Sequence, residues 1–108
     1  MSEFEISKDK INKLANLAVK RGVGLKKGQS LLITAPIESL ALVRKIAEHA
    51  YKEGAKIVTP LFTDSDITLS RFKYAHDESF DNATNWLYNG MGEAFDNNTA
   101  RMAIAGDD

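Results

Sequence analysis

The sequence contains no cysteine, so it has no disulfide, no thiolate ligand for zinc and no cysteine nucleophile. That absence is typical of proteins kept in a reducing compartment, and we expect a cytoplasmic protein. The amino-terminal stretch MSEFEISKDK lacks the basic start and apolar run of a signal peptide. No apolar run approaches the length of a membrane-spanning helix, so we expect no membrane partner.

The sequence also has no marked excess of basic over acidic side chains, or of acidic over basic ones. The 14 basic and 15 acidic side chains give a formal net charge of -1, which leaves no overall field to attract nucleic acid or an anionic membrane. We therefore expect no nucleic-acid partner. Hydrophobic residues make up 44% of the chain and charged residues 27%, as in an ordinary globular protein. A length of 108 residues predicts one domain, spanning residues 1–108.

Helical and strand patterns alternate in the first half of the chain. A helix is predicted to begin at Ser7 and to stop at Gly22. The apolar run SLLITA predicts a strand covered on both faces, over residues 30–35. Pro36 suits the first turn of a second helix, which Gly54 ends. A second strand follows over residues 56–62, and Pro60 directs it to an edge of the sheet because proline cannot donate to a ladder.

Two further helices and a last strand follow. The third helix is capped by Asp64 or Asp66, with its apolar side chains predicted to be buried: Ile67, Leu69 and Phe72. The fourth spans residues 85–96, with its apolar side chains predicted to face inward: Trp86, Leu87, Met91 and Phe95. The strand over residues 99–105 completes the pattern. This order predicts an α/β fold in three layers, with a short, mostly parallel sheet and flanking helices: a βαβ unit plus two further helices and a last strand.

Acidic residues follow each predicted strand. In a parallel sheet the ligand crevice lies beyond the carboxyl ends of the strands, so TAPIES, TDSD and GDD share one rim. Glu38, Asp64 and Asp107 are the candidate site residues there, and carboxylates suit a cation such as magnesium or calcium. Capping and helix-dipole roles explain the same carboxylates without a ligand. A phosphate site is disfavoured because Pro36 has no N–H and Glu38 repels phosphate.

The two histidines do not indicate a metal site. His49 shares a polar helix face with lysine and glutamate, and His76 lies in a separate element, so neither has metal-ligand spacing to a second histidine. We expect His49 to be a solvated surface residue. The serines likewise lack a nucleophile-elbow setting. The chain on its own therefore shows no complete active site.

The order of several short stretches resembles the start of the thermophilic-type metallo-aminopeptidase family, the group of aminopeptidases T, S and II. The stretches are Gly22-Val23, Gly28-Gln29, Ala35-Pro36 with Glu38, Ala50-Tyr51 and Gly54-Ala55. DSDITLSRFKYA, the Trp86-Leu87 helix and the final Gly106-Asp107-Asp108 continue the likeness over essentially the whole chain. Each stretch is structural, and their order carries the resemblance.

The resemblance implies an amino-terminal α/β domain of a longer enzyme. Members are much longer than this chain, and their second domain holds two divalent metal ions, zinc or cobalt, that activate water for hydrolysis of amino-terminal residues from short peptides. It implies a homodimeric parent, no catalytic or metal-ligating residue within this chain, and an inactive fragment that helps to shape the substrate cavity beside the missing catalytic domain. The alternative is a free-standing α/β module that binds a small ligand or a protein.

Overall fold

A computed structural model describes residues 3–76 and 84–105, with side chains from Lys8 onward in those ranges. Its sheet has three parallel strands, β1 (Leu31–Pro36), β2 (Val58–Thr63) and β3 (Ala100–Ala103), in the order β2-β1-β3. The helices are α1 (Glu3–Leu17), α2 (Leu40–Lys52), α3 (Ser65–Tyr74) and α4 (Asn85–Asp96). The predicted α/β fold with a βαβ unit, two further helices and a last strand is confirmed.

The core lies between one face of the sheet and the α1–α2 pair. Strand β1 is central, and its alternating side chains at Leu31, Ile33 and Ala35 are buried in this layer. Helix α2 contributes the buried residues Val43, Ile46 and Ala50, as its apolar spacing predicts. Helix α1 adds Ala15 and Val19. Burying a valine, leucine or isoleucine side chain contributes about 1.5–3 kcal/mol, so this layer is the main source of stability.

The opposite face of the sheet is covered less completely. Helices α3 and α4 contain no buried residue. The prediction that Ile67, Leu69 and Phe72 are buried is wrong, because their exposed fractions are 71%, 49% and 68%, and Trp86, which was predicted to face inward, is 75% exposed. Helical spacing predicts which side chains share a face, but burial requires a second surface packed against that face.

The first helix also differs from its prediction at both ends. It begins at Glu3, so the backbone of Ser7 is helical and Ser7 is not the N-cap. Gly22 does not end it, because α1 continues into a π-helical turn, Ala18–Val23. The helix ends at Gly24, whose φ of 63° is left-handed and whose N–H donates to the carbonyl of Val19. Glycine suits that left-handed position because it has no Cβ.

Strand β2 lies at an edge of the sheet, as Pro60 predicts. The amide of Leu31 donates to the carbonyl of Ile57 at 2.9 Å, so alternate β2 residues from Ile57 onward face β1. Pro60 falls on the outward series, where a missing N–H costs no ladder hydrogen bond. Its position is therefore compatible with β2 only as an edge strand.

Among the described residues, no helix is both long enough and apolar enough to span a bilayer.

Candidate functional site

A crevice opens at the carboxyl edge of the sheet, where the strand order changes direction. From central β1 the chain passes to β2 on one side and later to β3 on the other, which makes this edge a topological switch point. Ligands of open α/β sheets bind at such points. The cavity has a volume of about 680 Å³ and is lined by the strand ends and the segments after them: Thr34, Ala35, Pro36, Glu38, Ser39, Thr63, Asp64, Ser65, Thr68, Ile104 and Ala105.

Two of the three predicted site residues line this crevice. Glu38 lies in the short 3-10 turn Ile37–Ser39 that follows β1, and Asp64 directly follows β2. Parallel strands place both acids at the same edge because their carboxyl ends coincide: Pro36 is level with Thr63. Asp107 lies outside the described residues. Two carboxylates in one crevice favour a cationic group over an anionic one.

Asp64 does not cap α3 with its side chain. It occupies the N-cap position in an extended conformation, but its side chain makes no capping hydrogen bond. Its backbone carbonyl instead accepts hydrogen bonds from the amide of Thr68 at 3.0 Å and from Thr68 Oγ1 at 3.2 Å. Asp66, the other candidate cap, lies in the first turn of α3 and is absent from the crevice lining. The Asp64 carboxylate is thus available to a ligand, next to the positive end of the α3 dipole.

Hydroxyl groups add to the crevice; the sequence analysis placed their segments, TAPIES and TDSD, on this rim but named only acidic residues as site candidates. Thr34, Ser39 and Thr63 all line it together with the acids. A signal for them exists in the sequence, since Thr34 and Thr63 are polar residues near the ends of otherwise apolar strands. A threonine inside an apolar run is also an ordinary strand residue, so the pattern alone does not separate a lining residue from a packed one.

The described residues do not fit a metal ion. Among the described side chains, those of residues 8–76 and 84–105, no three histidine or acidic groups lie together so that they could hold one. His49 is half-buried rather than fully solvated, and its Nε2 lies 3.0 Å from Oδ1 of Asn12, which joins α2 to α1. We assign no metal-dependent step to these residues.

Comparison with known proteins identifies the family. A family described as "Thermophilic metalloprotease (M29)" matches residues 7–108. The chain belongs to the M29 family. This agrees with the resemblance to metallo-aminopeptidases drawn from the order of short stretches in the sequence.

Curated M29 relatives include aminopeptidases of several bacteria. Aminopeptidase T of Thermus thermophilus is 44% identical over 94% of this chain and 25% of its own length. Aminopeptidase 2 of Geobacillus stearothermophilus is 38% identical over 87% of this chain and 23% of its own length. Aminopeptidase AmpS of Bacillus subtilis is 34% identical over 88% of the chain and 23% of its own length. The chain thus spans about a quarter of the length of these relatives.

The fold agrees as well. The solved structure described as wild-type AmpT from Thermus thermophilus superposes on the chain with a TM-score of 0.87, at 44% identity, covering 94% of this chain and 25% of that one. The chain therefore has the same fold as the matching quarter of the AmpT structure.

Proposed function

We propose that this chain is the amino-terminal domain of a longer aminopeptidase that removes amino-terminal residues from short peptides. In this proposal the longer protein is a cytoplasmic homodimer with two divalent metal ions, zinc or cobalt, and the present domain is not catalytic. The relatives named aminopeptidase and the metalloprotease description of the family support an enzyme of this class.

One observation supports placing the catalytic metal in another domain of the longer protein. The chain belongs to a metalloprotease family, yet its described residues contain no group of three ligands for a metal ion. A catalytic metal in hydrolases is held by about three protein ligands and keeps a further position open for water. Ligands held outside this domain, in the other three-quarters of the relatives' length, satisfy both observations.

The carboxyl-edge crevice supports a role for the domain in substrate binding. A peptide substrate of an aminopeptidase carries a free ammonium group, and Glu38 and Asp64 place two negative charges in one crevice. The attraction between unit charges 4 Å apart is about 1 kcal/mol in water and about 4 kcal/mol near a protein surface. We propose that these two carboxylates help to draw the peptide's amino end towards the catalytic domain.

Activity measurements test the division of labour. The 108-residue chain and the longer protein, extended with the downstream part of its gene, are assayed on a leucyl chromogenic substrate with zinc or cobalt. We expect turnover from the longer protein and none from the chain. Metal-dependent turnover by the chain alone would contradict a non-catalytic domain, and an inactive longer protein would contradict the enzyme class.

Kinetics of crevice variants test the substrate role. In the longer protein, Glu38→Gln and Asp64→Asn are expected to raise KM by about fivefold each, the equivalent of about 1 kcal/mol, with kcat unchanged. Glu93→Gln and Asp96→Asn are matched controls, because they lie in the last turns of α4 and do not line the crevice. An unchanged KM in both crevice variants would remove Glu38 and Asp64 from substrate binding.

A free-standing binding module remains the second candidate, and the crevice favours it. Its volume of about 680 Å³ lies within the range typical of small-ligand sites, about 300–1,000 Å³. Calorimetry of the chain with nucleotides, flavins and short peptides separates the two functions. Saturable binding of a nucleotide or flavin supports the module, whereas the aminopeptidase domain is expected to bind neither.

A further inference from the structure

A second cavity lies at the amino edge of the sheet, where the chain enters the three strands. This amino-edge cavity has a volume of about 460 Å³, and its lining includes Lys26, Lys27, Gly28, Gln29, Lys56 and Asn98. Strand β1 has six residues, so at about 3.3 Å per residue the two edges of the sheet lie about 20 Å apart. The amino-edge cavity is therefore separate from the crevice that contains the two carboxylates.

The amino-edge cavity is positively charged. Three of its lining residues are lysines, and none of the described residues that line it is acidic. Lys26, Lys27 and Lys56 form no ion pair with a described residue, whereas Glu53, close to Lys56 in the chain, is paired with Lys20 at 3.6 Å. The chain as a whole has a net charge of -1, so this positive charge is local. Ammonium groups gathered in one cavity repel one another, and a bound anion removes that repulsion.

Hydrogen bonds between three segments build the floor of this cavity. The amide of Gly28 donates to the carbonyl of Gly54 at 2.7 Å, and the amide of Lys56 donates to the carbonyl of Gln29 at 3.0 Å. The side-chain nitrogen of Gln29 donates to the carbonyl of Asn98 at 2.9 Å. These bonds join the segments before β1, β2 and β3, and they occupy carbonyl oxygens that would otherwise repel an anion. The floor is thus formed before any ligand binds.

Lys27 is held at the cavity by a close contact with a glycine. It lies in the turn that the amide of Gln29 closes on the carbonyl of Lys26 at 3.0 Å. A Cβ added at Gly54 would lie 2.8 Å from Cγ of Lys27, so the stem of the lysine lies directly against the glycine backbone. Restricting the stem reduces the side-chain entropy that is lost when the ammonium group binds an anion.

The other lining residues indicate the chemical class of the ligand. Ser30 and Thr99 add hydroxyl groups, and Asn98 adds a side-chain amide. None of the described lining residues is aromatic or aliphatic, so the cavity offers no apolar wall for the ring of a nucleotide or flavin. Lysine binds phosphate as a point charge, and hydroxyl and amide donors suit the remaining oxygens of such an ion.

We propose that the amino-edge cavity binds a small oxyanion of the phosphate class, such as phosphate or pyrophosphate, through Lys26, Lys27 and Lys56. This inference goes beyond the proposed function, because it requires neither the catalytic domain nor the crevice. An anion bound at the amino edge would leave the crevice at the opposite edge open to its own ligand.

An NMR titration tests the site. The 108-residue chain is titrated with phosphate, pyrophosphate and acetate at neutral pH and constant ionic strength, and its backbone amide signals are followed. With the two phosphate anions we expect saturable shifts at Lys27, Gly28 and Asn98, and none at Thr34 or Asp64 in the crevice. Pyrophosphate should bind at least about tenfold more tightly than acetate, because it carries more charge.

Variants that remove one charge each test the three lysines. Lys26→Gln, Lys27→Gln and Lys56→Gln should each raise the Kd of pyrophosphate by about fivefold, since each removes one charged contact. Lys73→Gln is the matched control, because it removes the same charge from the last turn of α3 and does not line the cavity. All four lysines are exposed, so every variant should keep the amide spectrum of the folded chain.

The outcomes separate a built site from general attraction of anions. Saturable binding that weakens in the three cavity variants and not in Lys73→Gln supports the inference. It is overturned if no shift saturates, if acetate binds as tightly as pyrophosphate, or if all four variants have the same Kd.

Calorimetry repeats the pyrophosphate titration on the longer protein. Binding there supports the inference, and no binding there overturns it, because the cavity would then be covered in the protein that carries the catalytic domain. The aminopeptidase assay on the same protein is independent. Pyrophosphate binding without peptide hydrolysis would contradict the proposed function alone, and hydrolysis without pyrophosphate binding would contradict this inference alone.

Discussion

The side-chain nitrogen of Gln29 donates a 2.9 Å hydrogen bond to the backbone carbonyl of Asn98, a residue 69 positions later. The oxygen of the same side chain accepts the amide of Lys26 at 3.0 Å. Gln29 therefore joins the turn before β1 to the turn before β3. Asn98 has a φ of 65°, so this contact also holds a left-handed residue in place.

Gln29→Ala should lower the free energy of unfolding by about 1–2 kcal/mol, because two hydrogen bonds are lost at a half-buried position. Urea unfolding measures the change. Lys26→Ala is the matched control, since Lys26 contributes only its backbone amide to this contact. Equal stability of the Gln29 variant and the control would show that the bridge does not stabilise the fold.

Truncation of two isoleucines, one buried and one exposed, should change stability by very different amounts. Ile33 is 0% exposed in the centre of the sheet, and Ile33→Ala should cost about 2–5 kcal/mol. Ile67 is 71% exposed on α3, and Ile67→Ala should change stability by less than about 0.5 kcal/mol. Thermal or urea unfolding compares the two variants. A large loss from Ile67→Ala would mean that α3 is packed against another surface in solution.

Replacing two different glycines by alanine should change the stability of the fold in opposite directions. Gly54 has a φ of 95°, and a Cβ there would lie 2.8 Å from Cγ of Lys27, so Gly54→Ala should destabilise by about 1–2 kcal/mol. Gly90 lies in α4 with nothing within 4 Å of an added Cβ, so Gly90→Ala should stabilise by about 0.5–1 kcal/mol. Helicity by circular dichroism and the unfolding midpoint report both effects. Destabilisation by Gly90→Ala would require a close neighbour of α4.

Trp86 is the sole tryptophan and is 75% exposed. Its fluorescence in the folded chain should peak near the wavelength of tryptophan in water, and acrylamide should quench it almost as well as in the unfolded chain. A blue-shifted, protected emission would show that α4 packs its apolar face against another surface. Emission at several protein concentrations distinguishes self-association from packing within one chain.

Lys45 holds the pKa of Glu48 below its usual value, first through a 3.1 Å hydrogen bond and then through its charge, with help from Lys52. A lowered pKa in the folded state stabilises the protein above the unfolded pKa, and this contribution is lost as the pH falls through the folded value. Glu48→Gln should therefore be less stable than the natural chain at pH 7, and the difference should vanish once the pH falls below the lowered pKa of Glu48 in the folded chain. Urea unfolding at stepped pH measures it.

Lys45→Gln provides the control for that comparison. With the main cause of the lowered pKa removed, the effect of Glu48→Gln at pH 7 should shrink. If the free energy of unfolding of Glu48→Gln differs from that of the natural chain by the same amount at every pH, the difference comes from packing or helix propensity and not from the charge of Glu48. Because the pair is exposed, the effect should also decrease at high salt.

The sequence by itself determined the order of elements and their type. The bounds of α4 were predicted at 85–96 as observed, and β1 and β2 were placed within two residues. These features depend on local chemistry: apolar periodicity, the position of Pro60, and glycine at turns. The shared edge of Glu38 and Asp64 was also predictable, because parallel strands bring their carboxyl ends together.

Only the tertiary structure decided which apolar faces are buried and which carboxylates lack a local partner. The spacing of apolar residues predicts an inward-facing apolar side on both α2 and α4. In the structure, however, Ile46 of α2 is 1% exposed and Trp86 of α4 is 75% exposed. Burial and side-chain pairing depend on which surfaces meet in space, and this is set by contacts between segments far apart in the chain.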